Sequence, residues 1–175
     1  MKSVQNTDLP IILYNIPGRT GINLEPTTTA ELANKFKNIV GYKDATGNLE
    51  NTSQVIQLCP KNFLLYSGDD GLTLPMMSVG AVGVISVASH LVGLEMKEMI
   101  NEFTKGNIEK AKAIHYKLFP LFKALFKAPN PTCVKAALEI KGICKSNLRL
   151  PLVKLNQNDT NELKQVLEKT MKANV

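Results

Sequence analysis

Lys43, Tyr14 and Arg19 are the residues of this chain best suited to chemistry, by type and by place. Lys43 ends the apolar run Ile39-Val40-Gly41-Tyr42, and Tyr14 ends Ile11-Ile12-Leu13. Short runs of Ile, Val, Leu and Tyr suit strands of a sheet covered on both faces. A lysine ending such a strand is costly to bury as a cation, so Lys43 is a candidate amine nucleophile. Tyr14 offers a phenol that can donate or accept a proton. Arg19 lies in Asn15-Ile16-Pro17-Gly18-Arg19-Thr20-Gly21, whose proline and glycines mark a loop and not a helix. Its guanidinium suits bidentate carboxylate binding. All three fall at or just after strand ends, where α/β sheets and barrels place their sites. On residue type alone a plainer alternative stands beside this one: Lys43 as a solvated strand end and Tyr14 as core or edge packing.

The elements that must position these residues alternate regularly. The patterning predicts strands at Ile11–Asn15, Ile39–Lys43, Phe63–Ser67 and Gly83–Val87. Between them it predicts helices at Glu25–Phe36, with Pro26 as first helical residue, from Gly47-Asn48 to about Leu58, and at Leu72–Val79. Gly68-Asp69-Asp70-Gly71 reads as a tight loop whose aspartates cap the following helix. Glycines there and at Gly83 allow backbone to approach a ligand closely, or simply make turns. Three βα units and a fourth strand argue for a parallel sheet with right-handed crossovers. From Leu94 the texture is helical: Leu94–Thr104, Ile108–Phe126 bent at Pro120, Cys133–Lys141 capped by Thr132, an extended Leu148–Leu155, and Asn158–Lys172. Residues 1–9 are expected to be poorly fixed. The reading is thus α/β, with residues 1–93 as the sheet region and 94–175 as a helical region.

The net charge is +6, with lysines spread along the helical half and only Arg19 and Arg149 as arginines. No nucleic-acid-binding pattern accompanies them, so the charge reads as solvated helix faces. Cys59, Cys133 and Cys144 are odd in number and lack CxxC spacing. They read as free thiols of a reducing compartment, and no metal site is expected because His90 and His115 have no ligand spacing to them. The polar start Met1-Lys2-Ser3-Val4-Gln5-Asn6 has no signal-peptide core. Gly71 to Leu94 carries no charge, but Pro75 and its glycines divide it into a buried helix, a strand and a loop, not a membrane span.

Four ordered segments carry a resemblance. Tyr14-Asn15-Ile16-Pro17-Gly18-Arg19-Thr20-Gly21, Gly41-Tyr42-Lys43-Asp44-Ala45-Thr46-Gly47-Asn48, Tyr66-Ser67-Gly68-Asp69-Asp70 and Gly83-Val84-Ile85-Ser86-Val87 resemble the dihydrodipicolinate synthase family. Pro129-Asn130-Pro131 and Leu148-Arg149-Leu150-Pro151-Leu152 continue the match. The resemblance implies a partial TIM (β/α)8 barrel, its last four parallel strands, followed by an α-helical C-terminal extension. It implies a lyase that condenses pyruvate with aspartate semialdehyde in lysine and diaminopimelate biosynthesis. Lys43 matches the Schiff-base lysine, Tyr14 the proton-shuttling tyrosine and Arg19 the arginine that receives the semialdehyde carboxylate. Gly68 and Ile85 match backbone positions lining the pyruvate pocket. No cofactor is implied beyond the covalent imine on Lys43. The resemblance also implies that the first four strands, a Gly-Thr-Thr-Gly-Glu-type loop and a second tyrosine are missing here, so that this chain by itself is expected to be inactive. A related Schiff-base enzyme such as N-acetylneuraminate lyase is the nearest alternative, and a non-catalytic fragment or interaction module the other. A cytoplasmic homo-oligomer without nucleic-acid or membrane partners is expected.

Overall fold

A computed structural model describes residues 6–172. The chain divides into two compact units with the boundary between Ser86 and Val87; the change to helical texture in the sequence falls at 93/94. The expectation for residues 1–9 falls partly on residues 1–5, outside the described residues.

The first unit runs β1 (Ile11–Asn15), α1 (Pro17–Thr20), α2 (Pro26–Lys35), β2 (Ile39–Asp44), α3 (Leu49–Leu58), β3 (Leu64–Ser67), a 3-10 turn (Asp70–Leu72), α4 (Thr73–Ser78) and β4 (Gly83–Val84). The strands form one parallel sheet in the order β1-β2-β3-β4. Local chemistry explains the boundaries. Pro26 opens α2 at its first position, where a missing N–H costs nothing. Asn48 caps α3, accepting from the amides of Glu50 and Asn51 at 3.0 and 3.1 Å. Asp69 accepts from the amides of Gly71 and Leu72 at 2.8 and 3.3 Å. It therefore caps the 3-10 turn and not α4 directly.

Segment 15–21 corrects the reading of a plain loop. It holds the one-turn helix α1, because Pro17 sits at a helix start and Gly21 ends the turn in the left-handed region at φ 74°. The expectation of a sheet covered on both faces is also corrected. Tyr42 and Leu65 are buried on the face that carries the helices, as are the polar Asn15, Asp44 and Ser67. On the opposite face Ile12, Tyr14, Leu64 and Ile85 are 43, 46, 41 and 40% exposed. The helix face is closed by Thr29, Ala30 and Ala33 of α2, Val55 of α3 and Met76 and Met77 of α4. Gly41 stands on the open face between Ile12 and Leu64 in register. A Cβ there would lie 2.5 Å from the Leu64 carbonyl oxygen, so the strands meet this closely only at glycine.

The second unit contains α5 (Ser89–Thr104), α6 (Ile108–Ala124), α7 (Thr132–Ile140) and α8 (Gln157–Lys172). Its core gathers Met96, Met99, Ala111, Ile114, Leu118, Leu121, Ala137, Leu163 and Leu167. The helix expected from Leu94 starts earlier, at Ser89, and absorbs a break at Val92 (φ −132°, ψ 37°). Thr132 is the first residue of α7 and is buried; it does not cap, and Pro131 holds the cap position. Segment 148–155 carries no strand and turns at Leu150 and Pro151. Pro120 lies within α6, which continues past it. Among the described residues no helix is long and apolar enough to cross a membrane.

Where α5 meets α6, buried Glu102 accepts from Lys105 Nζ at 2.9 Å and from Asn107 Nδ2 at 2.7 Å. The Lys105 bond, then the Asn107 bond, hold its carboxyl below the usual range. A depressed carboxyl stabilises the fold above its unfolded value near about 4.3 and ceases to as pH falls through the lower folded value. Glu102→Gln is therefore expected to melt below wild type near neutrality, with the gap closing as the solution is acidified. Thermal melts of both proteins across the acid range check this.

Candidate active site

Strand register builds the site. Tyr14 on β1 pairs with Lys43 on β2, and Lys43 pairs in turn with Tyr66 on β3. Side chains alternate faces along a strand, so residues level with one another across neighbouring strands share a face. Lys43 Nζ lies 3.9 Å from the centroid of the Tyr14 ring. The contact places the lysine nitrogen on the aromatic face, the geometry of a cation–π pair, and it shows that the two side chains leave the sheet on the same side. Lys43 is half-buried, not sealed as expected of a strand end in a closed core, because that face of the sheet is open. Tyr42, one residue earlier, points the other way. Burial pushes its phenol up to about 12, so it is a poor proton carrier near neutrality.

Gly68 and Ile85 stand at the same C-terminal edge of the sheet. The Gly68 amide donates to the Asp44 carbonyl at 2.6 Å, and the Ile85 amide donates to the Ser67 carbonyl at 2.9 Å. Gly68 has a packing reason to be glycine. A Cβ there would lie 2.7 Å from Ala45 Cβ and 3.0 Å from the Asp44 oxygen. Gly68→Ala is expected to cost about 1–3 kcal/mol, the usual range for overpacking, measurable by denaturant unfolding. Arg19 is exposed on α1 and makes no ion pair among the described residues. The structure thus joins Tyr14 and Lys43 directly, places Gly68 and Ile85 at the same sheet edge, and leaves Arg19 on the neighbouring helical turn.

Two residues escaped sequence reasoning. Tyr66 was visible only as part of a motif; its place beside Lys43 follows from interstrand register, which a single strand does not encode. Asp44 carries no signal of its own in the sequence, where it is simply the neighbour of the lysine. The two-residue period of a strand sends it to the opposite face, where it is 1% exposed.

The sequence model of the Dihydrodipicolinate synthetase family matches residues 2–170. This chain belongs to that family. It is similar to 4-hydroxy-tetrahydrodipicolinate synthase 1 of Halalkalibacterium halodurans, 54% identical over 159 residues, which are 91% of this chain and 54% of that protein. The corresponding synthase of Listeria welshimeri is 51% identical over 162 residues, 93% of this chain and 55% of the relative. The crystal structure of dihydrodipicolinate synthase from Aquifex aeolicus superposes with a TM-score of 0.94 at 42% identity, over 96% of this chain and 57% of that one. The α/β arrangement of parallel strands and helices thus matches solved members of the dihydrodipicolinate synthetase family. The chain spans about half the length of the curated relatives it matches.

Proposed function

We propose that this chain carries the Schiff-base half of a lyase that condenses pyruvate with aspartate semialdehyde, on the route to lysine and diaminopimelate. The observation that carries the proposal is Lys43 Nζ over the Tyr14 ring at the C-terminal edge of a parallel sheet, in a chain of this family. The Lys43 amine attacks the ketone carbon of pyruvate, and the carbinolamine loses water to give the imine. The protonated imine accepts electrons when the methyl carbon gives up a proton, so an enamine forms. That carbon then attacks the aldehyde carbon of the second substrate. Tyr14 moves protons as the carbinolamine forms and collapses. Arg19 receives the semialdehyde carboxylate, and the backbone at Gly68 and Ile85 lines the pyruvate pocket. The covalent imine serves in place of a cofactor.

In this reading β1 to β4 are the last four strands of a (β/α)8 barrel, and α5 to α8 form its helical extension. The exposed apolar side chains on the open sheet face fit that assignment, since inward-facing residues fill a barrel core. Condensation then needs the other half of the barrel, and the 175-residue chain by itself is inactive in the full reaction. The assembled enzyme is a cytoplasmic homo-oligomer, a setting that suits the free thiols Cys59, Cys133 and Cys144. The test is reductive trapping: the protein is incubated with pyruvate and borohydride and its intact mass measured. A single increment equal to reduced pyruvate supports the reading, and an unchanged mass at saturating pyruvate overturns it.

A further inference from the structure

Asp44 is buried behind the sheet directly after Lys43, and its surroundings are unusually well organised. Its carboxylate accepts from the Thr46 amide at 2.9 Å, the Thr46 hydroxyl at 2.7 Å and the Thr52 hydroxyl at 2.8 Å. All of these partners are neutral. Its carbonyl accepts from the Gly68 amide at 2.6 Å, and the next amide, Ala45, donates to the Asn15 carbonyl at 2.9 Å. The Thr46 hydroxyl in turn accepts from the amide of Asn48, the α3 cap, at 3.1 Å. One side chain therefore fastens the end of β2 to the start of α3, at the point where backbone bonds also join it to the ends of β1 and β3.

We propose that Asp44 is the positioning residue for Lys43. Its carboxylate pins the last turn of β2 so that the lysine stem leaves the sheet in one direction and Nζ stays over the Tyr14 ring. A buried carboxylate is costly to keep, and removing its hydrogen-bonded partners leaves a buried polar group unmet. That cost, set against the chemical opportunity on the other face, fits a residue retained to aim its neighbour. An ångström of misplacement is enough to slow a reaction by about a hundredfold. The purpose of this device rests on the Schiff-base reading of Lys43; the geometry it controls does not.

The experiment reads that geometry directly. Lysines are dimethylated with 13C-formaldehyde and borohydride, which keeps the charge, and the methyl signals are recorded by NMR. Lys43→Arg assigns the Lys43 signal by its loss. The Tyr14 ring should shield that signal and displace it upfield from the other lysines, and Tyr14→Leu should abolish the displacement. Folded Asp44→Ala is expected to lose it. Thr52→Val, which keeps shape and removes one donor, is expected to lose part of it, and Thr52→Ser to restore it. An undiminished displacement in folded Asp44→Ala overturns the proposal, and so does one in folded Thr52→Val should Asp44→Ala not fold. In parallel, the rate of pyruvate trapping at saturation should fall about tenfold in Asp44→Ala with the half-saturating concentration unchanged, the mark of lost alignment and not of lost binding. Absence of trapping in wild type together with the expected NMR pattern would reject the Schiff-base reading alone.

Discussion

Borohydride will fix pyruvate on wild-type protein and on Lys61→Ala, and on Lys43→Ala it will fix none. The contrast follows from where the two amines sit. Lys61 is exposed in the turn between α3 and β3, among solvated groups. Lys43 stands mid-sheet, between Tyr14 and Tyr66 in register, with its Nζ against an aromatic face. Of the 21 Lys and Arg residues two are arginines, so random labelling would spread over 19 lysine amines and survive the loss of any one. Loss of the whole adduct on replacing one lysine is expected only if that lysine is the imine former. Intact mass after trapping reads the outcome. Equal labelling of Lys43→Ala and Lys61→Ala would refute the assignment.

The second large effect concerns assembly. The 175-residue polypeptide alone is expected to run as a dimer or larger species. β1 and β4 are the outer strands of the sheet, and each offers backbone N–H and C=O groups to any strand that approaches. The open face adds Ile12, Tyr14, Leu64 and Ile85, all 40% exposed or more. At about 25 cal/mol per Å2, a few hundred Å2 of uncovered apolar surface is worth several kcal/mol. Against a typical total stability of about 5–15 kcal/mol that is a large share, and self-association recovers it. Size exclusion with light scattering over a range of concentrations measures the outcome. A concentration-independent monomer with a sharp cooperative melt would show the open sheet to be self-sufficient.

The alternation of strands and helices was legible because each element announces its own ends. Ile11–Asn15 matches residue for residue, Pro26 starts α2, and Asn48 caps α3. The misses share a cause: a residue whose meaning depends on a neighbour not yet placed. Pro17 looks like a breaker until Gly21 closes the turn after it. Thr132 looks like a cap until Pro131 takes that position. His90-Leu91-Val92-Gly93 looks like a loop, yet α5 passes through it with Val92 out of helical geometry. The open face follows from the implied half-barrel and not from the strand pattern. Ile11-Ile12-Leu13-Tyr14 is apolar on both sides, and periodicity cannot tell which side the rest of the chain covers. Of the candidate site, Tyr14 and Lys43 were readable as strand-ending polar residues. Tyr66 and Asp44 were not, since one depends on interstrand register and the other on the buried threonine hydroxyl of α3.

The pairing of Tyr14 with Lys43 across a single interstrand step makes the site sensitive to register and nearly indifferent to loop length. The segment between them could gain or lose residues around α1 and α2 without moving either side chain, provided β1 and β2 keep their alignment. A slip of β1 by one position would have the opposite effect: Tyr14 would turn to the helix-covered side, and Leu13 or Asn15 would come level with the lysine. Variation among related chains should therefore accumulate as insertions in the connection, while the strands resist any odd-numbered shift. The distance between the amine and its aromatic neighbour is inherited from the sheet's own spacing, and evolution can remodel the surrounding loops without having to rediscover it.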